Sequence, residues 1–234
     1  MSDRRALILL RHGRTAWNAV GRAQGHADVP LDDLGRAQAE AAARALAPLG
    51  PVRLWSSDLA RARETADRVA AATGLLVETT TAFREYSVGE RTGLTLAEFA
   101  ERHPREYAAW RAGHGGIPGA ESDDEVLARF VPALAAAMAD LGPGECGVVV
   151  THGAALKAAL AEVLGLGRPG REALGVLRNA HWVELVHSAS SFLGGEARWR
   201  LAGYNLSAED APRDEPGPGA AAAGGDFVSD EPAR

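Results

Sequence analysis

The sequence predicts an α/β fold: a three-layer sandwich with a mainly parallel central sheet and helices on both faces. Two observations lead there. The wholly apolar runs Ala6-Leu7-Ile8-Leu9-Leu10 and Val148-Val149-Val150 have the length and composition of strands buried on both sides. Between them, strand and helix signals alternate, as they do when crossover helices connect parallel strands.

The first apolar run ends abruptly at Arg11-His12-Gly13, and a polar, Gly-containing loop follows to Asp33. An Ala-rich stretch then predicts a helix over Leu34–Leu46, broken by Pro48, Gly50 and Pro51. Val52-Arg53-Leu54-Trp55 reads as a second strand. Ser57 is placed to N-cap a helix running from Asp58 to about Ala72, with Gly74 placed to end it. Leu75-Leu76-Val77 reads as a third strand. Thr95-Leu96-Ala97-Glu98 and Ser122-Asp123-Asp124-Glu125 have the capping-box form that opens helices, and Gly142-Pro143-Gly144 closes the second of these. After Val150, His152-Gly153 leads into a helix over Ala154–Leu164. Trp182–Val186 and Arg198–Leu201 read as late strands.

With 234 residues, the chain is long enough for one domain with a substantial core, expected over residues 1–206. From Ser207 to Arg234 the composition turns to Ala, Gly, Pro, Asp and Glu, which cannot bury enough apolar surface to order itself, and a disordered tail is expected. The formal net charge of −6 argues against nucleic acid or an anionic membrane surface as a partner. The first apolar run is too short for a signal peptide and no stretch is long enough to span a bilayer, so a cytoplasmic protein is expected. The single cysteine, Cys146, has no internal partner for a disulfide and is expected to pack in the core.

The chemistry is expected where strands end. In open α/β sheets, ligands bind outside the carboxyl ends of the strands. Arg11-His12-Gly13 and Thr151-His152-Gly153 repeat one arrangement at two such ends, and Arg61 lies one turn into the helix after a third. Two histidines and two arginines meeting at one rim would hold a doubly charged phosphoryl group, because the guanidinium fork binds its oxygens bidentately. Arg14, Arg22, Arg36 and Arg63 read as surface charges, and His26, His103, His114, His181 and His187 match no ligand or triad pattern. Gly113-His114-Gly115-Gly116 reads as a flexible loop, since it lacks the Lys-Ser/Thr of a phosphate-binding loop.

The stretch from Leu10 to Asn18 resembles the signature of the histidine phosphatase superfamily, which includes the cofactor-dependent phosphoglycerate mutases. So do Gln24-Gly25, Pro30-Leu31, Gly35-Arg36-Ala37-Gln38-Ala39, Ser56–Ala62, Arg84-Glu85 with Gly89, Gly93 and Leu94, and Thr151-His152-Gly153. The resemblance runs from about Leu7 to Leu164. It implies a phosphomonoesterase in which His12 is the nucleophile and carries the phosphoryl group. Arg11, Arg61 and His152 would hold the phosphoryl oxygens. Asn18 and the Gln24-Gly25 loop would bind substrate, and Glu85 would act as acid and then base. It implies no cofactor and no metal. A binding module that had lost catalysis would lack at least one of His12, Arg61, Glu85 or His152, and the sequence keeps all four.

Within the superfamily, the region Arg102–Gly119 has no adjacent arginine pair of the kind mutases use to grip substrate, which favours a phosphatase. Arg178–Leu185, Arg198-Trp199-Arg200-Leu201 and Tyr204-Asn205 are similar to the C-terminal region of actinobacterial glucosyl-3-phosphoglycerate phosphatases. That resemblance implies a homodimer acting on a small-molecule phosphate ester, glucosyl-3-phosphoglycerate, to give glucosylglycerate and phosphate. Tyr86-Ser87-Val88-Gly89-Glu90-Arg91 departs from the Thr-His-Leu-Gly-Asp-Trp associated with that group. A broad-specificity sugar or nucleotide phosphatase, or a mutase, therefore stays open as an alternative.

Overall fold

The structure, a computed structural model, describes residues 4–112, 116–188 and 198–209. The tail beyond Glu209 and Gly113-His114-Gly115 lie outside the described residues. Strands β1 (Arg4–Arg11), β2 (Arg53–Ser57), β3 (Val77–Thr80), β4 (Cys146–Thr151), β5 (Trp182–Ser188) and β6 (Arg198–Leu206) form one sheet in the order β3-β2-β4-β1-β5-β6. The first four run parallel, and β5 and β6 are added antiparallel beside β1. The mainly parallel α/β sheet expected from the sequence is what is found.

The helices are α1 (Ala16–Ala19), α2 (Asp33–Leu46), α3 (Ala60–Thr73), α4 (Leu96–Arg102), α5 (Pro104–Arg111), α6 (Asp123–Ala139), α7 (Gly153–Val163) and α8 (Gly167–Ala173). Alternation along β1 divides the core. Leu7 and Leu9 pack with Phe130 and Leu134 of α6 and Leu156 and Leu160 of α7. Ile8 and Leu10, pointing the other way, pack with Ala42, Ala43 and Leu46 of α2 and Ala62, Ala66 and Val69 of α3. A strand buried on both faces must be apolar at every position, which explains the unbroken run in the sequence. Cys146 packs half-buried against the second cluster, and burial raises its thiol pKa to about 11, so it stays a protonated thiol at neutral pH.

Three local expectations shift. The helix after β2 starts at Ala60, two residues later than expected, and Ser57 is the last residue of the strand rather than a cap. The Ala60 amide donates instead to the Asp28 carboxylate at 2.6 Å, which leaves the Ser57 hydroxyl for a tertiary partner. The third strand lies at Val77–Thr80, pairing Leu54 with Val77, while Leu76 is 88% exposed. Gly74 ends α3 in the left-handed conformation, and the chain needs the next two residues to reach the sheet edge. A short helix, α1, capped by Thr15 with Asn18, interrupts the loop expected over Gly13–Asp33, and α5 and α8, which carry no capping box, add two helices that the sequence does not signal. Both predicted capping boxes, at Thr95 with Glu98 and at Ser122 with Glu125, form.

The loop after β1 is held against α2 by two glycines. A Cβ at Gly13 would collide with the Gly35 carbonyl, and one at Gly35 with the Arg14 carbonyl. Both obstacles are backbone, so neither yields cheaply. Gly35→Ala is therefore expected to destabilise the protein by about 3 kcal/mol. Urea unfolding would measure this.

Candidate active site

Parallel pairing of β1 with β4 sets Arg11 opposite Thr151, so the next residue on each strand is a histidine. The His12 and His152 rings lie 5.1 Å apart between centroids, at 3% and 0% exposure. His12 Nδ1 is 2.7 Å from the Gly13 carbonyl. A carbonyl only accepts, so Nδ1 carries the proton and Nε2 keeps its lone pair. The His12 backbone is fixed as well: its amide donates to the Thr151 carbonyl, and its carbonyl accepts from the Ala180 amide and from Asn179 Nδ2. His152 Nε2 meets the Ser57 hydroxyl at 2.9 Å.

Two arginines flank the pair. Arg61, on the first turn of α3 and 1% exposed, donates to the carbonyls of Ala27 and Gly25 at 2.8 Å each. Arg11 donates to the Leu177 carbonyl at 2.6 Å. Neither forms an ion pair among the described residues. Burial, opposed by the Glu85 and Asp28 charges, lowers the Arg61 pKa to about 10, and burial lowers that of Arg11 too, yet both remain cations at neutral pH. Burial first, then the two guanidinium charges, holds the pKa of His12 well below the ordinary histidine value. His152 is lowered in the same way, by burial and then by Arg61, His12 and Arg11. Both imidazoles are therefore neutral. Arg11 Nε, Arg61 Nε and His152 Nδ1 are buried without a hydrogen-bond partner among the described residues. The two desolvated guanidinium N–H donors fit a multiply charged oxyanion.

Glu85 stands at the start of α7. Its carboxylate accepts from the amides of Ala154 and Ala155 in that helix and from the Tyr86 amide, at 2.8 to 3.0 Å. Asn18 Oδ1 accepts from the Thr15 amide, which fixes the orientation of the side-chain amide and leaves Nδ2 as the group it can offer a ligand. Gln24 is similar: its Oε1 accepts from the Thr15 hydroxyl at 3.0 Å. Gly25 adopts φ +51°, and a Cβ there would meet Val88 and the Tyr86 carbonyl. Arg11, His12, Asn18, Gln24, Gly25, Arg61 and Glu85 all line one cleft of about 760 Å³, and the His152 ring adjoins that of His12 without itself lining the cleft. The residues singled out in the sequence are thus brought together.

Several supporting residues were missed. Arg129 of α6 donates to the carbonyls of Ala82, Arg84 and Glu85, and forks onto Glu121, whose carboxylate also accepts from the Ser87 amide. His26 Nε2 reaches the Glu85 carbonyl at 2.8 Å. Asp58 pairs with Arg84 through both carboxylate oxygens. Together these contacts fix the backbone that presents Glu85. Arg14, Arg22, Arg36 and Arg63 each pair with a carboxylate: Asp32, Glu98, Asp33 and Asp67.

An α/β sheet with a His-Arg-His-Arg anion cage at its carboxyl edge defines a phosphoryl-handling protein, and a family comparison gives the class. The profile of the histidine phosphatase superfamily (branch 1) matches residues 7–194, and the chain belongs to that superfamily as a phosphoric monoester hydrolase. Among its relatives, a glucosyl-3-phosphoglycerate phosphatase of Mycobacterium tuberculosis (strain ATCC 25618 / H37Rv) is 39% identical over 214 residues, covering 88% of this chain and 96% of that protein. A metal-independent phosphoserine phosphatase of Arabidopsis thaliana is 35% identical over 187 residues, covering 77% of this chain and 75% of that one. The solved structure of a mycobacterial glucosyl-3-phosphoglycerate phosphatase complexed with VO3 superimposes with a TM-score of 0.76 at 38% identity, covering 87% of this chain and all of that one.

Two outcomes follow from this geometry. His12 and His152 are neutral in the fold but take up protons in the unfolded chain below about pH 6.5. Their contribution to stability is complete above that pH and is lost as pH falls, with a slope of at most about 1.4 kcal/mol per pH unit for each histidine. Urea unfolding from pH 7.5 to 5 should show this decline, and His12→Asn should flatten it. Arg129→Lys keeps the charge but not the fork. Its turnover of an aryl phosphate should fall about 100-fold, with the fold retained by circular dichroism.

Proposed function

We propose that this protein hydrolyses glucosyl-3-phosphoglycerate to glucosylglycerate and phosphate, through a phosphohistidine formed on His12. One observation carries the chemistry: a neutral imidazole has its proton pinned on Nδ1 and its Nε2 lone pair available, between two desolvated arginines. The choice of ester rests on the 38–39% identity to glucosyl-3-phosphoglycerate phosphatases over most of both chains.

In the first step His12 Nε2 attacks phosphorus in line, the ester P–O bond breaks, and Glu85 gives the departing alcohol oxygen a proton. Arg11, Arg61, His152 and the Asn18 and Gln24 amides take the equatorial oxygens, whose charge is spread in a loose transition state. In the second step water attacks the phosphoryl group, Glu85 recovers a proton from it, and the N–P bond breaks to release phosphate. The arginines supply the positive charge this sequence needs, so the reaction is proposed without a metal. Their guanidinium groups are already positioned by the Ala27, Gly25 and Leu177 carbonyls, which leaves both Nε donors unpartnered among the described residues and in need of little reorganisation as charge develops.

The reading extends to the whole molecule. The two apolar clusters on opposite sides of β1 support a three-layer sandwich. The C-terminal motifs similar to those of the narrower group support a homodimer.

His12→Ala should lose at least about 10⁴-fold in kcat. Rapid acid quenching is not suitable for the intermediate, so alkaline quenching of a single turnover should trap phosphate on the wild-type protein and none on the variant. Glucosyl-3-phosphoglycerate should exceed 3-phosphoglycerate and phosphoserine at least about tenfold in kcat/KM, with EDTA present throughout. Turnover without any protein-bound phosphate would refute the mechanism, and equal rates on the three esters would refute the substrate.

A further inference from the structure

We propose that Arg91 and Lys157 form a second anion subsite in the outer cleft, separate from the phosphoryl cage, and that it takes a carboxylate on the alcohol half of the substrate. This rests on the cage holding the phosphoryl group, as proposed above, and adds which part of the leaving alcohol is read and by which residues.

Charge pairing in the cleft singles these two out. Arg22 and Arg171 also line its outer part, but Arg22 forks onto Glu98 and Arg171 pairs with Asp123. Of the acids there, Glu121 is held by Arg129 and the Ser87 amide and Asp123 by Arg171 and the Tyr86 hydroxyl, while Glu172 also lines the wall beside Arg171. Arg91 and Lys157 line the same cleft and have no carboxylate partner among the described residues. Arg91 is partly buried, with its Nε lacking any hydrogen-bond partner among those residues. Burial lowers its pKa, and no carboxylate opposes the shift. A guanidinium that has given up water and gained no counter-ion is costly unless a ligand anion completes it. Its carbon lies 5.2 Å from the centroid of the Trp110 ring, itself in the cleft wall, and stacking on that face leaves the edge donors free.

Lys157 adds position. It is the only lysine in the chain. It lies three residues after Ala154 on α7, hence on the same helix face, and the Ala154 amide holds Glu85. The proposed proton donor to the leaving oxygen and the Lys157 ammonium therefore share one face of one helix. A group a few bonds along the alcohol from that oxygen meets this side of the cleft. Arginine offers the fork that matches a carboxylate, and lysine a mobile point charge beside it.

The test compares two esters that share a skeleton and differ in one group: 3-phosphoglycerate, and glycerol 3-phosphate, in which a hydroxymethyl replaces the carboxylate. The wild type should prefer the carboxylated ester at least about tenfold in kcat/KM, the scale of a charge-assisted hydrogen bond. In Arg91→Gln and Lys157→Gln that ratio should shrink, and in the double variant it should approach one. Lys157→Glu, at a partly exposed helix position and with folding checked by circular dichroism, should bring the ratio below one. An unchanged ratio in Lys157→Glu overturns the subsite even where absolute rates fall. Calorimetric affinities for the same two ligands separate this from failure of the underlying reading. Were no ester turned over, the proposed function would fall, while a carboxylate preference lost in Lys157→Glu would still uphold the subsite and an unaltered one would overturn it.

Discussion

The structure turns on a single constraint: two arginines and two imidazoles are taken out of water at one sheet edge, with the Glu85 charge nearby but no carboxylate ion-paired to either arginine among the described residues. A buried cation with no counter-ion is among the most costly arrangements a fold can contain. The protein offsets part of the cost with carbonyls, those of Gly25 and Ala27 on Arg61 and that of Leu177 on Arg11. It avoids adding to the cost by keeping both histidines neutral, which burial enforces first and the arginine charges reinforce. What remains unsatisfied, at Arg11 Nε, Arg61 Nε and His152 Nδ1, is aligned with the proposed ligand's charge rather than with the stability of the empty fold. Preorganised donors of this kind favour a developing oxyanion because they need not reorient to meet it.

That cage can exist because the rest of the sheet is rigid around it. Register between β1 and β4 decides the distance between the histidines, and register is pinned by apolar residues that alternate into two separate clusters. A slip by one residue would exchange the clusters and separate the imidazoles together. Core packing and site geometry are thus one constraint seen from two sides. The close approach of Gly13 to Gly35 serves the same end, bringing the loop that carries His12 flush against α2.

The legible parts of this protein are those written locally. Apolar runs ending in Arg-His-Gly and Thr-His-Gly, and capping boxes at Thr95 and Ser122, all depend on neighbours within a few residues, and they form as read. Partners brought in from far along the chain were not legible. Asn179 reaches His12 across 167 positions and Arg129 reaches Glu85 across 44, and neither spacing has a pattern that a sequence displays. Ser57 shows how local and distant demands compete. Its hydroxyl suits a helix cap, but His152 occupies it and Asp28 serves the helix instead. His26 was set aside because it matched no motif, yet it supports the Glu85 backbone from a loop.

Cage and outer cleft also differ in how they are built, and that difference bears on specificity. Arg11, His12, His152 and Arg61 sit at strand ends or the first turn of a helix, where the sheet dictates position. The outer wall comes from the loop at Tyr86–Arg91, the turn at Gly116–Asp123 and the exposed faces of α7 and α8. Residues there can change without disturbing β1 or β4, because none of them enters the two apolar clusters that set the register, apart from Tyr86 packed at the edge of one. A fold arranged in this way keeps one phosphoryl chemistry while the choice of alcohol varies with the wall. The anchor between the two parts is Glu85, whose carboxylate is tied to the first turn of α7 and whose carbonyl is tied to α6 through Arg129. Any change in the wall that shifts either helix therefore reaches the proposed proton donor before it reaches the cage.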